Sequence, residues 1–164
     1  MAIRNIVEEG DPVLSKKCKY VTEITPRITR LLDDMRETLV QADGAGLAAP
    51  QVGVLKRIAV LYIGDEILDF INPEIVSAEG EQEDIEGCLS VPGVWGVTRR
   101  PARVTVRATD RKGRPFEVTG EGLEARCLCH ELDHLDGHLF TERTVKLLSY
   151  EEAMKYTEEY NKGK

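Results

Sequence analysis

Long hydrophobic runs are missing from this chain of 164 residues: no stretch approaches the roughly 18 apolar residues that a membrane-spanning helix needs. The opening MAIRNIVEEGDP meets charge too early to serve as the apolar core of a secretory leader, so a cytoplasmic protein without membrane association is expected. An excess of positive charge is missing too. Lysine and arginine number 22 against 29 acidic residues, and the net charge of −7 argues against a broad electrostatic footprint on nucleic acid. No specific nucleic-acid binding is expected. Repeats and low-complexity linkers are absent, histidines number three and cysteines four. A chain long enough to bury one apolar core needs no disulfide framework, and a cytosolic one would not keep it, so Cys18, Cys88, Cys127 and Cys129 read as thiols. With 41% hydrophobic and 31% charged residues, the composition is that of an ordinary globular protein, and a single domain over residues 1–164 is expected.

What is present is a clear periodicity. Thr25 followed by Pro26 makes a helix start, and Ile28, Leu31, Leu32, Met35 and Leu39 recur at helical spacing, which predicts a helix over 26–42 stopped at Gly44. RIAVLYI at 57–63 and the stretch 70–76 read as strands, the second bent or at an edge because of Pro73. Val104, Val106 and Ala108, the turn Asp110-Arg111-Lys112-Gly113, then Phe116 and Val118 spell a β-hairpin. From Gly122 to about Asp136 apolar residues occupy more than one face, with Leu128, Leu132, Leu135 and Leu139 as one stripe and Leu123, Cys127, His130 and His134 as another. A helix apolar on several sides is a buried, central one. Ser149 and Glu152 form a capping box for a last, heavily charged helix. Strands grouped before the buried helix, without regular βαβ alternation, predict an α+β fold. Antiparallel strands and hairpins would pack around that helix, with further helices toward each terminus.

The chemistry starts at His130-Glu131-Leu132-Asp133-His134. Two imidazoles one helical turn apart point to the same side and can grip one metal ion, and Glu131 beside the first can reach a water on it. The plainer alternative is a charged helix surface that happens to spell the motif, but these are two of only three histidines and both fall on the apolar side of the helix. A third protein ligand is needed. Metzincins place a histidine six residues after the second one, where this chain has Phe140; His138 is too near, and Glu158 and Glu159 sit on a helix that reads as a solvated surface. A cysteine in Glu86-Gly87-Cys88-Leu89-Ser90 offers a thiolate, a strong metal ligand. Cys127, three residues before His130 on the same helical face, is its rival. A third segment, Gly44-Ala45-Gly46-Leu47-Ala48-Ala49-Pro50-Gln51, is built of small residues that let a substrate backbone approach, and it ends in an amide able to donate a hydrogen bond.

Taken together and in this order, GAGLAAPQ, EGCLS and HELDH resemble the three signature motifs of peptide deformylases, and the likeness extends over nearly the whole chain. The resemblance implies a metallohydrolase that removes the formyl group from the formyl-methionine of nascent polypeptides and releases formate. It implies that Cys88, His130 and His134 bind one divalent metal ion, Fe2+ in the cell, with Zn2+, Ni2+ or Co2+ able to substitute. Glu131 would handle the proton, while Gln51 and the backbone N–H of Leu89 would face the formyl oxygen. Gly44, Ala45 and Gly46 would pair with the extended substrate, Glu86 would support the ligands, and the methionine side chain would lie along the helix at Leu123 and Cys127. Formyl-methionyl nascent peptides are the expected partners of a monomer, with any ribosome contact weak and transient because the last helix is mixed in charge. Three residues depart from the pattern: Cys129, Trp95 in an expected loop, and Arg126, a cation near the expected methionine pocket. The competing functions are a zincin-type metallopeptidase cutting internal peptide bonds, and a non-catalytic metal-binding domain.

Overall fold

Residues 2–162 are described in the computed structural model of the chain. Helix α1 (Pro26–Ala42) starts where the sequence predicts, with the Thr25 hydroxyl accepting from the Ile28 N–H at 3.4 Å and Pro26 at the first helical position. Its stop differs from expectation. Asp43, not Gly44, takes the left-handed conformation (φ 55°), and its N–H bonds the Val40 carbonyl at 3.2 Å. Aspartate is one of the few side chains that tolerate this conformation.

Two antiparallel sheets follow. Strands β1 (Gly46–Ala48), β2 (Ile58–Ile63) and β3 (Glu66–Glu79) run into β4 (Gln82–Cys88) and β5 (Val91–Arg100), then β6 (Arg103–Thr109) and β7 (Pro115–Glu121). Helix α2 (Leu123–Leu135), strand β8 (Thr144–Leu148) and helix α3 (Tyr150–Lys162) complete the chain. The larger sheet has the order β1-β2-β3-β6-β7 and the smaller β4-β5-β8. The fold is α+β. Strand β3 is bent, as Pro73 suggests, but it is interior: its first half pairs with β2 and its second with β6. Pro73 is tolerated because it falls in the register shift between Ile71 and Glu74, where no ladder bond is demanded of it. The sequence reading missed β1 and the whole β4–β5–β8 sheet, so Trp95 lies in a strand rather than a loop.

Helix α2 lies across the larger sheet, packed on β1, β2, β6 and β7. Ala125, Leu128, Leu132 and Leu135 are buried there with Leu61, Phe70, Val104 and Val106, the largest of the apolar clusters that hold the fold. The stripe ends at Leu135. Gly137 turns the chain at φ 84°, and Leu139 opens a short 3-10 turn at Phe140–Glu142 instead of continuing the helix. The capping box at α3 is present, with Ser149 N–H to Glu152 Oε1 at 3.4 Å and Glu152 N–H to Ser149 Oγ at 3.3 Å. No helix among the described residues is long and apolar enough to cross a membrane.

Candidate active site

Helical spacing brings His130 and His134 to one side of α2, in a T-shaped pair with ring centroids 4.9 Å apart. The β4–β5 hairpin delivers Cys88 to them from the other sheet, at the last residue of β4 before the Leu89-Ser90 turn. One ligand atom from each of Cys88, His130 and His134 lies within 4.8 Å of the others, and Cys88 Sγ stands 3.3 Å from His134 Nε2. His130 donates or accepts through Nδ1 at 2.6 Å from Glu86 Oε2, which leaves its other nitrogen for the cluster. His134 is fully buried, and burial, the largest cause, pushes it down to about 3, so its imidazole is neutral. Its Nδ1 has no hydrogen-bond partner among the described residues, nor has Glu131 Oε1. Two imidazoles and a thiol gathered in a buried place, with a polar atom left over beside them, fit a transition-metal ion well.

Glu131 is 3% exposed, and burial before any charge pushes its carboxyl up to about 7. It packs on β1 at Gly46, where a Cβ would come within 2.9 Å of Glu131 Oε2. Only glycine fits between them. Gln51 is held at both ends of its amide: Oε1 accepts from the Ala48 N–H at 2.9 Å, and Nε2 donates to Ser90 Oγ at 3.1 Å while facing Cys88 Sγ at 3.7 Å. Leu89 lies against Gly44, whose Cβ would meet Leu89 Cδ1 at 2.9 Å.

A cleft of about 400 Å³ runs over this group. Every site residue that the sequence singles out lines it except His134, which is buried. Among the described residues Cys88 is the one thiol that converges with the imidazoles. Cys127 lines the cleft outside that cluster, its thiol pushed up to about 12 by burial and then by the charges of Glu131 and Glu86. Cys129 packs in the apolar core on the other side of the helix. Phe140, which stands where a metzincin has its third histidine, stacks on His130 at 6.0 Å. Exposed His138 pairs with Glu142 instead, 3.4 Å away.

Sequence reading placed Glu86 in a supporting role but missed the residues that hold Glu86 itself. Glu86 accepts from Thr98 Oγ1 at 2.7 Å, from Arg100 Nε at 3.2 Å and Nη2 at 2.7 Å, and from Arg126 Nη1 at 3.1 Å. Arg126 is therefore not a cation projecting into a methionine pocket; it is 3% exposed and its guanidinium turns inward. Its spacing of four residues from His130 was a readable signal, whereas Thr98 and Arg100 arrive only through the pairing of β4 with β5. Trp95 lines the cleft with its indole over Gly87, where a Cβ would come within 2.9 Å of it.

An open cleft above two nitrogens and a sulfur, with a buried carboxylate beside them, is the arrangement of a metal-dependent hydrolase. Comparison narrows the class. The profile of the family described as polypeptide deformylase matches residues 3–149. A peptide deformylase of Acetivibrio thermocellus is 53% identical over 164 residues, covering 100% of this chain and 96% of that one. One from Agathobacter rectalis is 56% identical over 143 residues, 87% and 90% of the two chains. The crystal structure of a peptide deformylase from Legionella pneumophila superposes with a TM-score of 0.84 at 45% identity, covering 99% of this chain and 95% of that one. That of Ehrlichia chaffeensis in complex with actinonin gives 0.85 at 36% identity over 100% and 99%. The chain belongs to the polypeptide deformylase family, metal-dependent enzymes that remove N-formyl groups from nascent peptides. The zincin alternative finds no support in these comparisons.

Proposed function

We propose that this protein deformylates formyl-methionyl nascent peptides at the cleft, with Cys88, His130 and His134 holding one divalent metal ion. The observation that carries the reading is the convergence of three ligand atoms within 4.8 Å of one another beside the orphaned Glu131 carboxylate. A metal ion held by these three residues would supply Lewis acidity and make a water molecule beside it more acidic. Glu131, buried beside the three ligand residues, would take the attacking water's proton and return it to the leaving amine. Gln51 Nε2, fixed in advance by Ala48 and Ser90, and the Leu89 N–H donate to the formyl oxygen as it gains charge. Strand β1 is paired on one side only, by β2, so Gly44, Ala45 and Gly46 can take an extended peptide along the free edge. Leu123, 71% exposed, and Cys127 offer the apolar wall for the methionine side chain. Glu86 orients His130 from behind.

We place the enzyme in the cytoplasm as a monomer. Helix α3 carries Glu151, Glu152, Glu158 and Glu159 against Lys155 and Lys162, so any contact with ribosomal RNA is weak and transient.

The test pairs metal analysis with a formate assay on formyl-methionyl peptide. Cys88→Ala is expected to lose the metal and formate release together, while Cys127→Ala and Cys129→Ala keep both. Full metal occupancy in Cys88→Ala would remove that thiol from the site.

We further propose Fe2+ as the working metal. Two imidazoles and a thiolate would also bind Zn2+ well, so donor type alone does not choose, and the preference rests on the resemblance to deformylases. Metal-free protein reconstituted without oxygen is expected to be fast with Fe2+ and to lose activity in air, as oxygen attacks the iron and the Cys88 thiolate. Ni2+ or Co2+ should preserve activity, and Zn2+ should give a stable, slow enzyme. Equal rates with Fe2+ and Zn2+, both surviving air, would refute the iron assignment.

A further inference from the structure

Arg126 sits one helical turn before His130 on α2 and lines the same cleft, yet its guanidinium is buried and spent inside the protein. Nη1 reaches Glu86 Oε1 at 3.1 Å, Thr98 O at 3.3 Å and the Thr98 hydroxyl; Nη2 reaches Gln82 Oε1 at 3.3 Å. The other oxygen of that carboxylate, Oε2, is the one 2.6 Å from His130 Nδ1. Arg100 already spans both oxygens with Nε and Nη2, so neutralising Glu86 does not require a second arginine. Arg100 reaches α2 as well, through Asp133 at 2.6 Å, but that bond lands beyond His130; what Arg100 does not supply is a tie to the helical turn before it. Arg126 provides that tie, because it and His130 belong to the same helix face and hold opposite oxygens of one carboxylate.

We propose that Arg126 is a positioning residue for the metal site. By fixing the plane of Glu86 relative to α2, it sets the direction in which the His130 ring presents its ligand nitrogen. The inference rests on His130 being a metal ligand, and it assigns Arg126 a task that its place beside the methionine wall does not suggest. A guanidinium that merely closed the wall would act on substrate binding; one that aims a ligand acts on metal retention and on turnover.

The experiment compares Arg126→Met, which keeps the stem and removes every donor, with Arg126→Gln, which keeps one amide donor, and with Cys88→Ala. Zinc affinity is measured by competition with a chromophoric chelator, alongside KM and kcat of the fully loaded enzyme on formyl-methionyl peptide. Arg126→Met is expected to bind zinc more weakly, by less than the roughly 10- to 100-fold that loss of a direct partner of a metal-binding histidine costs, because Arg126 acts on His130 through Glu86. Its kcat should fall while KM stays near wild type, and Arg126→Gln should fall between Met and wild type in affinity. Wild-type zinc affinity with a raised KM in both variants would overturn the proposal and leave Arg126 as a wall of the cleft. Failure of both variants to fold would also overturn it, making Arg126 a residue of stability alone. If Cys88→Ala too retained zinc at wild-type affinity, the ligand assignment would be what failed, and the Arg126 result would be recognisable as a casualty of it.

Discussion

Glu131→Gln is expected to keep the metal and the fold and to lose about 10²- to 10⁴-fold in kcat, the usual worth of a general acid-base group. The substitution is close to isosteric, and the site is unforgiving of anything larger, since Glu131 packs directly on Gly46. An amide has no basic site for the proton that the attacking water must shed, so the loss should appear in kcat while KM changes little. Folding should not suffer. The carboxylate is buried and its Oε1 has no partner among the described residues, so that oxygen gives up no protein hydrogen bond when an amide replaces it. A functional group held in an environment that disfavours its charge is characteristic of catalytic carboxylates. The measurement is formate release under saturating peptide together with metal content and the melting temperature of the same preparation. Turnover near the wild-type rate with metal in place would take Glu131 out of the reaction and return the non-catalytic reading.

The sequence was readable where one element carries the information by itself. The helical pair His130 and His134, the start of α1 at Thr25-Pro26, the β6–β7 hairpin and the capping box at Ser149 are local patterns, and all appear in the structure. What could not be read is what two distant segments make together. Cys88 and Cys127 stood as rivals because spacing along α2 favours Cys127, and only the β4–β5 hairpin, folding over from the second sheet, puts Cys88 Sγ against His134. That sheet was illegible because β4 lacks a clean apolar alternation: Glu83, Asp84, Glu86 and Gly87 give it no period-2 apolar face. Arg126 misled for a related reason. A cation on an apolar helix face looks like a departure until its partner carboxylate, which lies 40 residues away in sequence, is placed beside it.

That partner sets the second large effect: Glu86→Gln is expected to destabilise the zinc-loaded protein by about 3–5 kcal/mol, the cost of breaking a buried ion pair from one side. Glu86 is buried with Arg100 and Arg126, both buried too, and accepts from them, from Thr98 and from His130. Burial alone would raise its pKa; the hydrogen bonds from His130 and Arg100 overcome that and hold the carboxyl well below the usual range. Against a total stability of about 5–15 kcal/mol for a typical domain, the loss is large enough to read directly from a urea midpoint. The two arginines should respond differently. Arg100 retains Asp133 at 2.6 Å when Glu86 loses its charge, whereas Glu86 is the one carboxylate paired with Arg126 among the described residues. In Glu86→Gln the amide oxygen can still accept from Arg126, but no anion is left beside this buried cation, whose other acceptors are the oxygens of Thr98 and Gln82. Most of the penalty in Glu86→Gln should therefore come from Arg126, so adding Arg126→Met to it should recover stability rather than subtract more. The coupling energy in that double-mutant cycle should be about 0.5–3 kcal/mol, the span measured for residues sharing a network. Additive losses for Glu86→Gln and Arg126→Met would show that the two side chains do not depend on each other, and that the network holds through Arg100 alone.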